Sequence, residues 1–416
     1  MAAETITTQC AIAGGGPAGM MLGLLLARAG IDVVVLEKHA DFLRDFRGDT
    51  IHPSTLEIMY ELGILEDFLK RPHQELREIG GQIGETHIVL ADFSHLPTHC
   101  RFIALMPQWD FLDFLADQAR RYPGFHLRML ARVTDLIMEQ GRVLGLYAET
   151  PDGPLEIRAD LVVGADGRHS DVRALAGLKV EDFGAPMDVL WFRLSKRPED
   201  SQETFGRIQA GVVFVTLDRG DYWQCAYVIP KGGFEELRLR GLEAFRAAVA
   251  SLNPEFSSRV QEIGSWDDVK LLTVTVDRLE RWHRPGLLCI GDAAHAMSPI
   301  GGVGINLAIQ DAVATANLLW EPLSKGRVPA DQLGSVQACR EWPTKMMQGV
   351  QLFIQKRVIS NVLSMTERPR PPFVVTLFNR LPFLRRIPAR LIGMGFRPEH
   401  VQSPELAPGN QYPQPP

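Results

Sequence analysis

The stretch QCAIAGGGPAGMMLGLLLARAGIDVVVLE, residues 9–37, decides the fold. Its apolar pattern predicts a strand over residues 9–13, a Gly-rich turn, a helix over 17–29 and a second strand over 31–37. A strand, a helix and a strand in this order form a βαβ unit, and such units build parallel sheets that helices cover. The sequence therefore predicts an α/β fold.

The turn before the helix has the spacing Gly-x-Gly-x-x-Gly, formed by Gly14, Gly16 and Gly19. In a dinucleotide-binding unit the first glycine permits a tight turn, the second lets the backbone approach a pyrophosphate, and the third lets helix and strand pack closely. Free N–H groups at the helix start attract phosphates. Glu37 lies near the spacing of about 20 residues expected of a carboxylate that binds a ribose hydroxyl. These features favour a Rossmann-type site over a turn that serves packing alone.

Composition narrows the function classes. A chain of 416 residues suggests two domains, and a net charge of −6 argues against a nucleic-acid binder. The five cysteines are scattered and form neither a CxxC pair nor a metal-ligand pattern, which favours a reduced, cytoplasmic protein. The apolar run over residues 18–30 follows no basic residue and is too short to span a bilayer, so we interpret it as the first core helix.

Apolar spacing predicts further helices over residues 52–70, 107–122 and 305–320. Short β-rich stretches over residues 79–105 and 187–230 predict one antiparallel sheet in a second domain, which is inserted into the first. The predicted divisions are 1–78, 106–178 and 281–345 for the nucleotide-binding domain, 79–105 and 179–280 for the substrate domain, and 346–416 for a C-terminal helical segment with a disordered tail.

Two further motifs follow predicted strands. GADGRHSDVR, residues 164–173, contains Asp166, although Asp-Gly is also an ordinary turn signal. GDAAHAMSPIGGVGIN, residues 291–306, places Asp292 where it can accept a hydrogen bond from a sugar or ribityl hydroxyl. The glycines after Pro299 leave backbone N–H groups to face a flat anionic ring edge, unless this segment is a plain strand-to-helix loop.

Together, GGGPAG, GADGRHSDVR and GDAAHAMSPIGGVGIN resemble the motif set of the single-component FAD-dependent aromatic hydroxylases, the para-hydroxybenzoate hydroxylase-like flavoprotein monooxygenases. The resemblance covers most of residues 8–345. It implies that the nucleotide-binding domain is a Rossmann-type FAD-binding domain, that the inserted antiparallel β-sheet domain binds the substrate, and that the fold ends in a helical C-terminal segment.

The resemblance also implies cofactor contacts by position. The first motif would hold the FAD pyrophosphate, Glu37 the adenosine ribose and Asp292 the ribityl chain. Arg47 would lie near the phosphates, Gln108 at a helix beside the cofactor, and Asp166 near both FAD and the visiting nicotinamide. The full implied set is Gly14, Gly16, Pro17, Ala18, Gly19, Glu37, Lys38, Arg47, Gln108, Asp166, Gly291, Asp292, Pro299, Gly301, Gly302, Val303, Gly304, Ile305 and Asn306.

The sequence contains no second strand–GxGxxG–helix unit and no CxxxxC pair. This fits an enzyme to which NADH or NADPH binds transiently, reduces the flavin and leaves. In the family, reduced flavin then reacts with O2 to form a C4a-hydroperoxide, which transfers oxygen to an electron-rich ring. The expected substrate is a small aromatic or hydrophobic molecule (phenolic, polyketide-like or a quinone precursor) against a wall of Phe, Trp, Met and Leu.

No general base is assigned. A base that removes a phenolic proton would raise the rate, and the candidates are His52, Tyr222 and His295. Each has a structural alternative. His52 precedes a predicted helix, Tyr222 lies on a predicted strand where aromatic core residues are usual, and His295 is placed to hold the third motif in position.

The C-terminal segment is basic in an acidic chain, with seven arginines and two glutamates over residues 364–400. Apolar residues interleave with these arginines. The segment is therefore suited to peripheral contact with an anionic membrane, to a cap over the substrate pocket, or to a homodimer contact within residues 346–400.

Other functions remain open. A flavin halogenase shares the nucleotide domain, but its signature of two tryptophans one residue apart before Ile-Pro is replaced here by YWQCAYVIP, residues 222–230. A flavin-dependent oxidoreductase acting on a hydrophobic alkene or quinone is a second alternative. A non-catalytic binding protein with the FAD fold is a third, against which the intact glycines, Glu37 and Asp292 speak.

Overall fold

The structure is a computed structural model and describes residues 4–43, 50–200, 204–326, 328–367, 369 and 371–406. In chain order the strands are β1 (Glu4–Ala13), β2 (Val33–Leu36), β3 (Thr50–Ile51), β4 (Gln74–Leu76), β5 (Glu78–Ile83), β6 (Thr86–Asp92), β7 (Ile103–Leu105), β8 (Phe125–Arg128), β9 (Arg132–Glu139), β10 (Arg142–Thr150), β11 (Gly153–Gly164), β12 (Val180–Asp182), β13 (Met187–Ser195), β14 (Phe205–Gln209), β15 (Val212–Asp218), β16 (Tyr222–Pro230), β17 (Lys270–Leu272), β18 (Asp277–Leu279), β19 (His283–Arg284) and β20 (Leu287–Cys289).

The helices are α1 (Pro17–Arg28), α2 (Pro53–Glu61), α3 (Leu65–Leu69), α4 (Gln108–Ala119), α5 (Asp171–Leu175), α6 (Phe234–Arg240), α7 (Leu242–Leu252), α8 (Gly304–Ser324), α9 (Ala330–Ile354), α10 (Ser360–Ser364), α11 (Phe373–Arg380) and α12 (Arg386–Met394). A π-helical turn over Gln355–Ile359 joins α9 to α10. Within the described residues, no helix combines the length and the apolar character that crossing a membrane requires.

The predicted βαβ unit is confirmed and forms the centre of the first sheet, whose strand order is β19-β20-β11-β1-β2-β8. β1 pairs in parallel with both β2 and β11, and β11 pairs in parallel with β20. Residues 10–13 of β1 are all buried, as expected for a parallel strand covered on both faces. α1 packs against α4 and α8. The carboxyl ends of four strands therefore meet at one edge.

The helix predicted over residues 52–70 is instead two helices, α2 and α3. Gly63 adopts a φ of 70° between them, a left-handed conformation that ends a helix and that glycine adopts readily. The Ile64 N–H donates to Met59 O at 3.0 Å, so the chain turns back on α2 before α3 begins.

The second sheet has the order β17-β13-β16-β15-β14-β5-β6. It contains both predicted β-rich blocks, but the prediction of a wholly antiparallel sheet is wrong, because β5 lies parallel to β14. The β5–β6 hairpin comes from a distant part of the chain, so no tight turn forces it to run against β14. Residues 103–105, also expected in this sheet, form β7 of a separate sheet ordered β3-β7-β4. There Ile103 and Leu105 pack against Ala389 of α12.

The C-terminal chain packs across both sheets. α11 and α12 lie against β6, and α12 also contacts α2. The tail predicted as disordered is ordered as far as residue 406, because the Leu406 N–H donates to Arg28 O at 2.9 Å and Glu405 accepts a bond from the Tyr122 hydroxyl at 2.9 Å. Residues 407–416 lie outside the described chain.

A buried ion cluster connects α8, α9 and the C-terminal chain. Arg340 of α9 donates from Nε to Asp311 Oδ1 at 3.1 Å and from Nη1 to Glu399 Oε1 at 3.1 Å. Arg340 and Asp311 are both fully buried. The Asp311 carboxylate is buried and depends on its countercharge, so this arginine should carry a large share of the local stability.

Replacing Arg340 by methionine should lower the free energy of unfolding by about 3–5 kcal/mol, because Asp311 and Glu399 lose a buried partner. Urea unfolding followed by circular dichroism measures this loss. The control is Lys325→Met, which removes an exposed partner of Glu321 at 2.7 Å and should leave the unfolding curve unchanged. If the two variants unfold at the same urea concentration, Arg340 contributes no more to stability than the exposed Lys325.

Candidate cofactor and substrate site

The carboxyl edge of the first sheet and one face of the second sheet border a cavity of about 1000 Å³. This volume lies at the upper end of the range of about 300–1,000 Å³ for ligand pockets. The three sequence motifs line one part of the cavity, and aliphatic side chains of the second sheet line the other. The cavity thus has a polar part and an apolar part, which we name the cofactor part and the substrate part after the expectations from the sequence.

The β1–α1 turn forms the polar end. Gly14 has a φ of 107°, and a Cβ added there would collide with the Ala165 carbonyl and lie 2.8 Å from Asp166 Cα. A Cβ added at Gly19 would collide with Gly14 O. At Gly16 the nearest atom to an added Cβ is Ala165 O at 4.0 Å, so the space beside this backbone is open. The turn therefore has the shape of a phosphate cradle at the amino end of α1.

Glu37, directly after β2, presents an oriented carboxylate to the same cavity. It accepts hydrogen bonds from the Gly15 N–H at 3.1 Å and the His39 N–H at 3.0 Å. These two backbone donors fix the carboxylate at the cavity wall, as a ribose-binding acid requires.

The second and third motifs meet on the opposite side of the cradle. Arg168 Nη2 lies 3.4 Å from Asp292 Oδ2, while Arg168 Nη1 and Asp166 Oδ1 are buried with no hydrogen-bond partner among the described residues. Burial raises the pKa of Asp166 above its usual value. Buried polar atoms without partners are rare in folded proteins, so these two atoms fit a site that a polar ligand completes.

The third motif forms an irregular loop held by its neighbours. Gly302 has a φ of 64°, and a Cβ added there would collide with the Thr50 hydroxyl, which donates to Gly302 O at 2.9 Å. The Asn306 amide accepts bonds from the His52 N–H at 2.9 Å and the Thr55 hydroxyl at 2.7 Å. Asn306 therefore holds the loop in place from behind.

Most of the predicted cofactor residues come together around the cavity. Those that line it are Gly14, Gly16, Pro17, Ala18, Glu37, Lys38, Gln108, Asp166, Asp292, Pro299, Gly301, Gly302, Gly304 and Ile305. Gly19, Gly291, Val303 and Asn306 are described but lie behind the cavity surface. Arg47 lies outside the described residues.

Among the cavity-lining residues that sequence analysis missed, two differ in whether a signal could have found them. Arg168 stands inside the quoted second motif, and a basic side chain two residues after Asp166 was a usable signal for an anion contact. Thr50 belongs to no motif. Its place beside Gly302 depends on a contact between positions far apart in the chain, so no local sequence pattern predicts it.

The three candidate bases all have structural contacts, and none of them is among the described residues that line the cavity. His52 is buried with Nδ1 at 2.8 Å from Ile392 O, and burial lowers the pKa of His52 to about 4. The Tyr222 ring lies under the Arg193 guanidinium, 4.9 Å from the ring centre. His295 Nε2 lies 2.6 Å from Asp311 Oδ2. The geometry gives no reason to assign any of them as the base.

Asp311 holds the start of the third motif. Its Oδ2 accepts a bond from the Gly291 N–H at 3.0 Å in addition to the contact with His295. Burial by itself raises the pKa of Asp311, but the charges of His295 and Arg340 and the Gly291 N–H together hold that pKa below its usual value. Asp311 is thus a carboxylate at neutral pH.

The substrate part of the cavity follows the alternation of the second sheet. On β13, β15 and β16 one face carries the cavity wall and the other packs against α7. The cavity side chains are Met187, Val189, Trp191, Val213, Val215, Leu217, Ala226 and Val228, whereas the opposite face carries Leu190, Phe192, Phe214, Trp223 and Tyr227. Of the expected wall of Phe, Trp, Met and Leu, a tryptophan, a methionine and a leucine of these strands face the cavity, but their phenylalanines, Phe192 and Phe214, lie on the opposite face. Most of the rings form the outer core, and β-branched side chains face the cavity.

Replacing Gly14 by alanine should abolish FAD retention, because the new methyl group collides with the Ala165 carbonyl, directly after β11, where the cradle forms. The ratio of flavin absorbance to protein absorbance in purified protein measures it. The matched control is Gly63→Ala, which has a φ of 70° but no atom within 4 Å of the added Cβ. The control suffers the same kind of backbone strain yet should keep its flavin. A yellow Gly14→Ala protein would contradict the proposed cradle.

Comparison with known proteins supports the motif assignment. The sequence profile of the FAD binding domain family matches residues 7–348. The chain is 33% identical to 6-methylpretetramide 4-monooxygenase of Streptomyces rimosus over 394 residues, 94% of this chain and 93% of that protein. It is 28% identical to dialkyldecalin synthase of Streptomyces rugosporus over 323 residues, 74% of this chain and 64% of that protein. The structure of OxyS anhydrotetracycline hydroxylase from Streptomyces rimosus matches at a TM-score of 0.71 and 26% identity, covering 93% of this chain and 76% of that one. This chain therefore belongs to the family of FAD-dependent aromatic hydroxylases.

Proposed function

We propose that this protein is an FAD-dependent monooxygenase that uses NADH or NADPH and O2 to hydroxylate an aromatic, polyketide-like small molecule. The observation that carries the proposal is one cavity in which a dinucleotide cradle continues into an apolar wall. In the overall reaction one oxygen atom of O2 replaces a ring hydrogen as a hydroxyl group. The other atom leaves as water, and the nicotinamide and one proton supply the two electrons and the hydrogen.

The residues present fit FAD. The open backbone at Gly16, the oriented Glu37 carboxylate and the unsatisfied Arg168 guanidinium supply the kinds of partner that a diphosphate, a ribose and a polar chain require. When bound, FAD supplies two-electron transfer and the activation of O2. The remaining task of the chain is to bind, orient and shield.

Two features of the chain suit that task. α8 begins at Gly304 beside the cavity, and the positive end of its dipole favours negative charge there. The second sheet presents a wall with little polar surface, which excludes water from the reacting centre. The relatives named monooxygenase and hydroxylase act on 6-methylpretetramide and anhydrotetracycline according to their names, and the apolar wall of the cavity suits an aromatic ligand.

A second candidate function retains FAD but causes no net oxidation of the substrate. The similarity to a dialkyldecalin synthase favours this function. A synthase of that kind would change the skeleton of its substrate without changing the mass. Product mass therefore separates the two functions, and halide in the product would indicate the halogenase alternative.

The purified holoprotein should oxidise NADH or NADPH faster when a suitable substrate is added. We suggest a panel of phenols, naphthols and polycyclic phenols, with isotope-labelled O2 and mass spectrometry of the products. The expected product carries one oxygen atom derived from O2. A product of unchanged mass, or turnover that continues without O2, would refute the monooxygenase proposal.

We further infer that the α11–α12 surface contacts an anionic membrane. Phe383 and Ile387 are 59% and 65% exposed, and Arg380, Arg386 and Arg390 are exposed around them. No acidic residue occurs between positions 371 and 398 of the sequence. Exposed apolar side chains surrounded by arginines suit an interface of anionic headgroups and acyl chains. Both helices pack on β6, which also borders the cavity, so this surface would bring a lipid-soluble substrate near the site.

Co-sedimentation with phosphatidylserine vesicles at low salt tests this contact. The wild type should sediment, and the double variant Phe383→Asp, Ile387→Asp should remain in the supernatant. The control Leu239→Asp changes an apolar side chain that is 87% exposed on α6 and should sediment like the wild type. Failure of the wild type to sediment would dismiss the membrane contact. If the wild type is a dimer and the double variant is a monomer, this surface instead contacts a second copy of the chain.

A further inference from the structure

α9 and the first residue of the π-helical turn carry three buried glutamines on one face: Gln348, Gln351 and Gln355. Each is at most 2% exposed. Their spacing of three and four residues places them in a row along the helix. Buried glutamines are uncommon because the amide must find partners for its donors and its acceptor, so such a row points to a specific task.

All three amides contact the loop of the third motif. Gln351 accepts a bond from the Ser298 N–H at 3.1 Å and donates to Ser298 O at 3.0 Å and Ile300 O at 2.9 Å. Gln348 donates to Ala296 O at 3.2 Å, and Gln355 donates to Ser298 Oγ at 2.7 Å. The backbone between residues 296 and 300 is thus satisfied largely by one helix.

This loop needs external support because, among the described residues, β18 bonds only its first residue, through the Asp277 N–H to Ala296 O at 3.3 Å. Met297, Ser298, Pro299 and Ile300 line the cavity, and Gly301 follows with a φ of 77°. A buried loop must pair its backbone N–H and C=O groups with side chains. The glutamines therefore determine where the loop lies relative to the cofactor part of the cavity.

The π-helical turn extends the same arrangement. It begins at Gln355, which faces Ser298, and ends at Ile359, which lines the cavity. Insertions of this kind redirect side chains at functional sites. One continuous helical segment therefore both holds the flavin-facing loop and closes part of the substrate wall.

We propose that Gln351, supported by Gln348 and Gln355, is a positioning residue for the flavin. It fixes the loop from Ser298 to Gly302, which lines the cavity where the flavin would bind, so α9 sets both the affinity and the electronic environment of bound FAD. The proposal rests on the FAD-binding part of the proposed function and is independent of the identity of the substrate.

The main test compares Gln351→Met with Gln337→Met in the holoprotein. Gln337 lies on the same helix and likewise bonds backbone, accepting from the Trp282 N–H at 3.0 Å and donating to Glu280 O at 3.1 Å, but outside the cavity wall. Both variants should lose thermal stability, and Gln351→Met should lose more because its three bonds are buried. Only Gln351→Met should weaken FAD binding, by about tenfold, and shift the flavin absorption bands and reduction potential.

A second test applies even if Gln351→Met does not fold. Gln355→Met removes the single bond to Ser298 Oγ and should weaken FAD binding by about two- to fivefold. Ser298→Ala should weaken binding at least as much, because it also removes the bond from the Ile300 N–H to Ser298 Oγ at 3.3 Å, and the double variant should be no weaker than Ser298→Ala alone. Unchanged FAD affinity and spectrum in Gln351→Met or Gln355→Met, or equal shifts in Gln337→Met, would overturn the proposal. A wild type that binds no FAD would refute the proposed function before any variant is compared.

Discussion

The parallel register of four strands brings the site together. Ala13 at the end of β1 lies beside Leu36 of β2 and beside Gly164 of β11, and Gly164 lies beside Cys289 of β20. Gly14 directly follows β1, Asp166 lies two residues after the end of β11, and Gly291 lies two residues after the end of β20. A shift of one residue in any pairing would turn a motif to the other face of the sheet, so the hydrogen-bonded ladder fixes the cofactor part of the cavity. The close fit of Gly14 against Ala165 then sets how near the first turn of α1 lies to β11.

The second sheet contributes an uncharged wall to the cavity. Because side chains alternate along a strand, β13, β15 and β16 can present valines to the cavity and aromatic rings to α7. The rings pack with Phe245 and Phe256, so the outer face forms a core of its own. The same division explains why composition alone misplaced the phenylalanines, since an aromatic residue on a strand does not reveal which face it occupies.

Sequence patterns predicted those parts of the molecule that residues close together in the chain determine. The βαβ unit and the three motifs depend on short-range spacing, and glycines at turns are visible in any sequence. The break at Gly63, the parallel pairing of β5 with β14 and the role of Thr50 depend on backbone conformation and distant contacts. The glutamine row shows the same limit, because Gln351 and Ser298 are 53 positions apart and a glutamine on a helix normally indicates a solvated face.

The third motif is held from two sides by different chemistry. On one side the Asp311 carboxylate of α8 bonds the Gly291 N–H and His295, with Arg340 as its buried countercharge. On the other side the neutral amides of α9 bond the backbone around Ser298. A buried charge is costly unless it is fully partnered, so the ionic cluster permits few alternative positions for the start of the loop. Neutral amides impose a weaker but directional constraint on the part that borders the cavity. A loop fixed in this way can orient a flavin before any substrate arrives, because the cost of ordering it has already been met in folding.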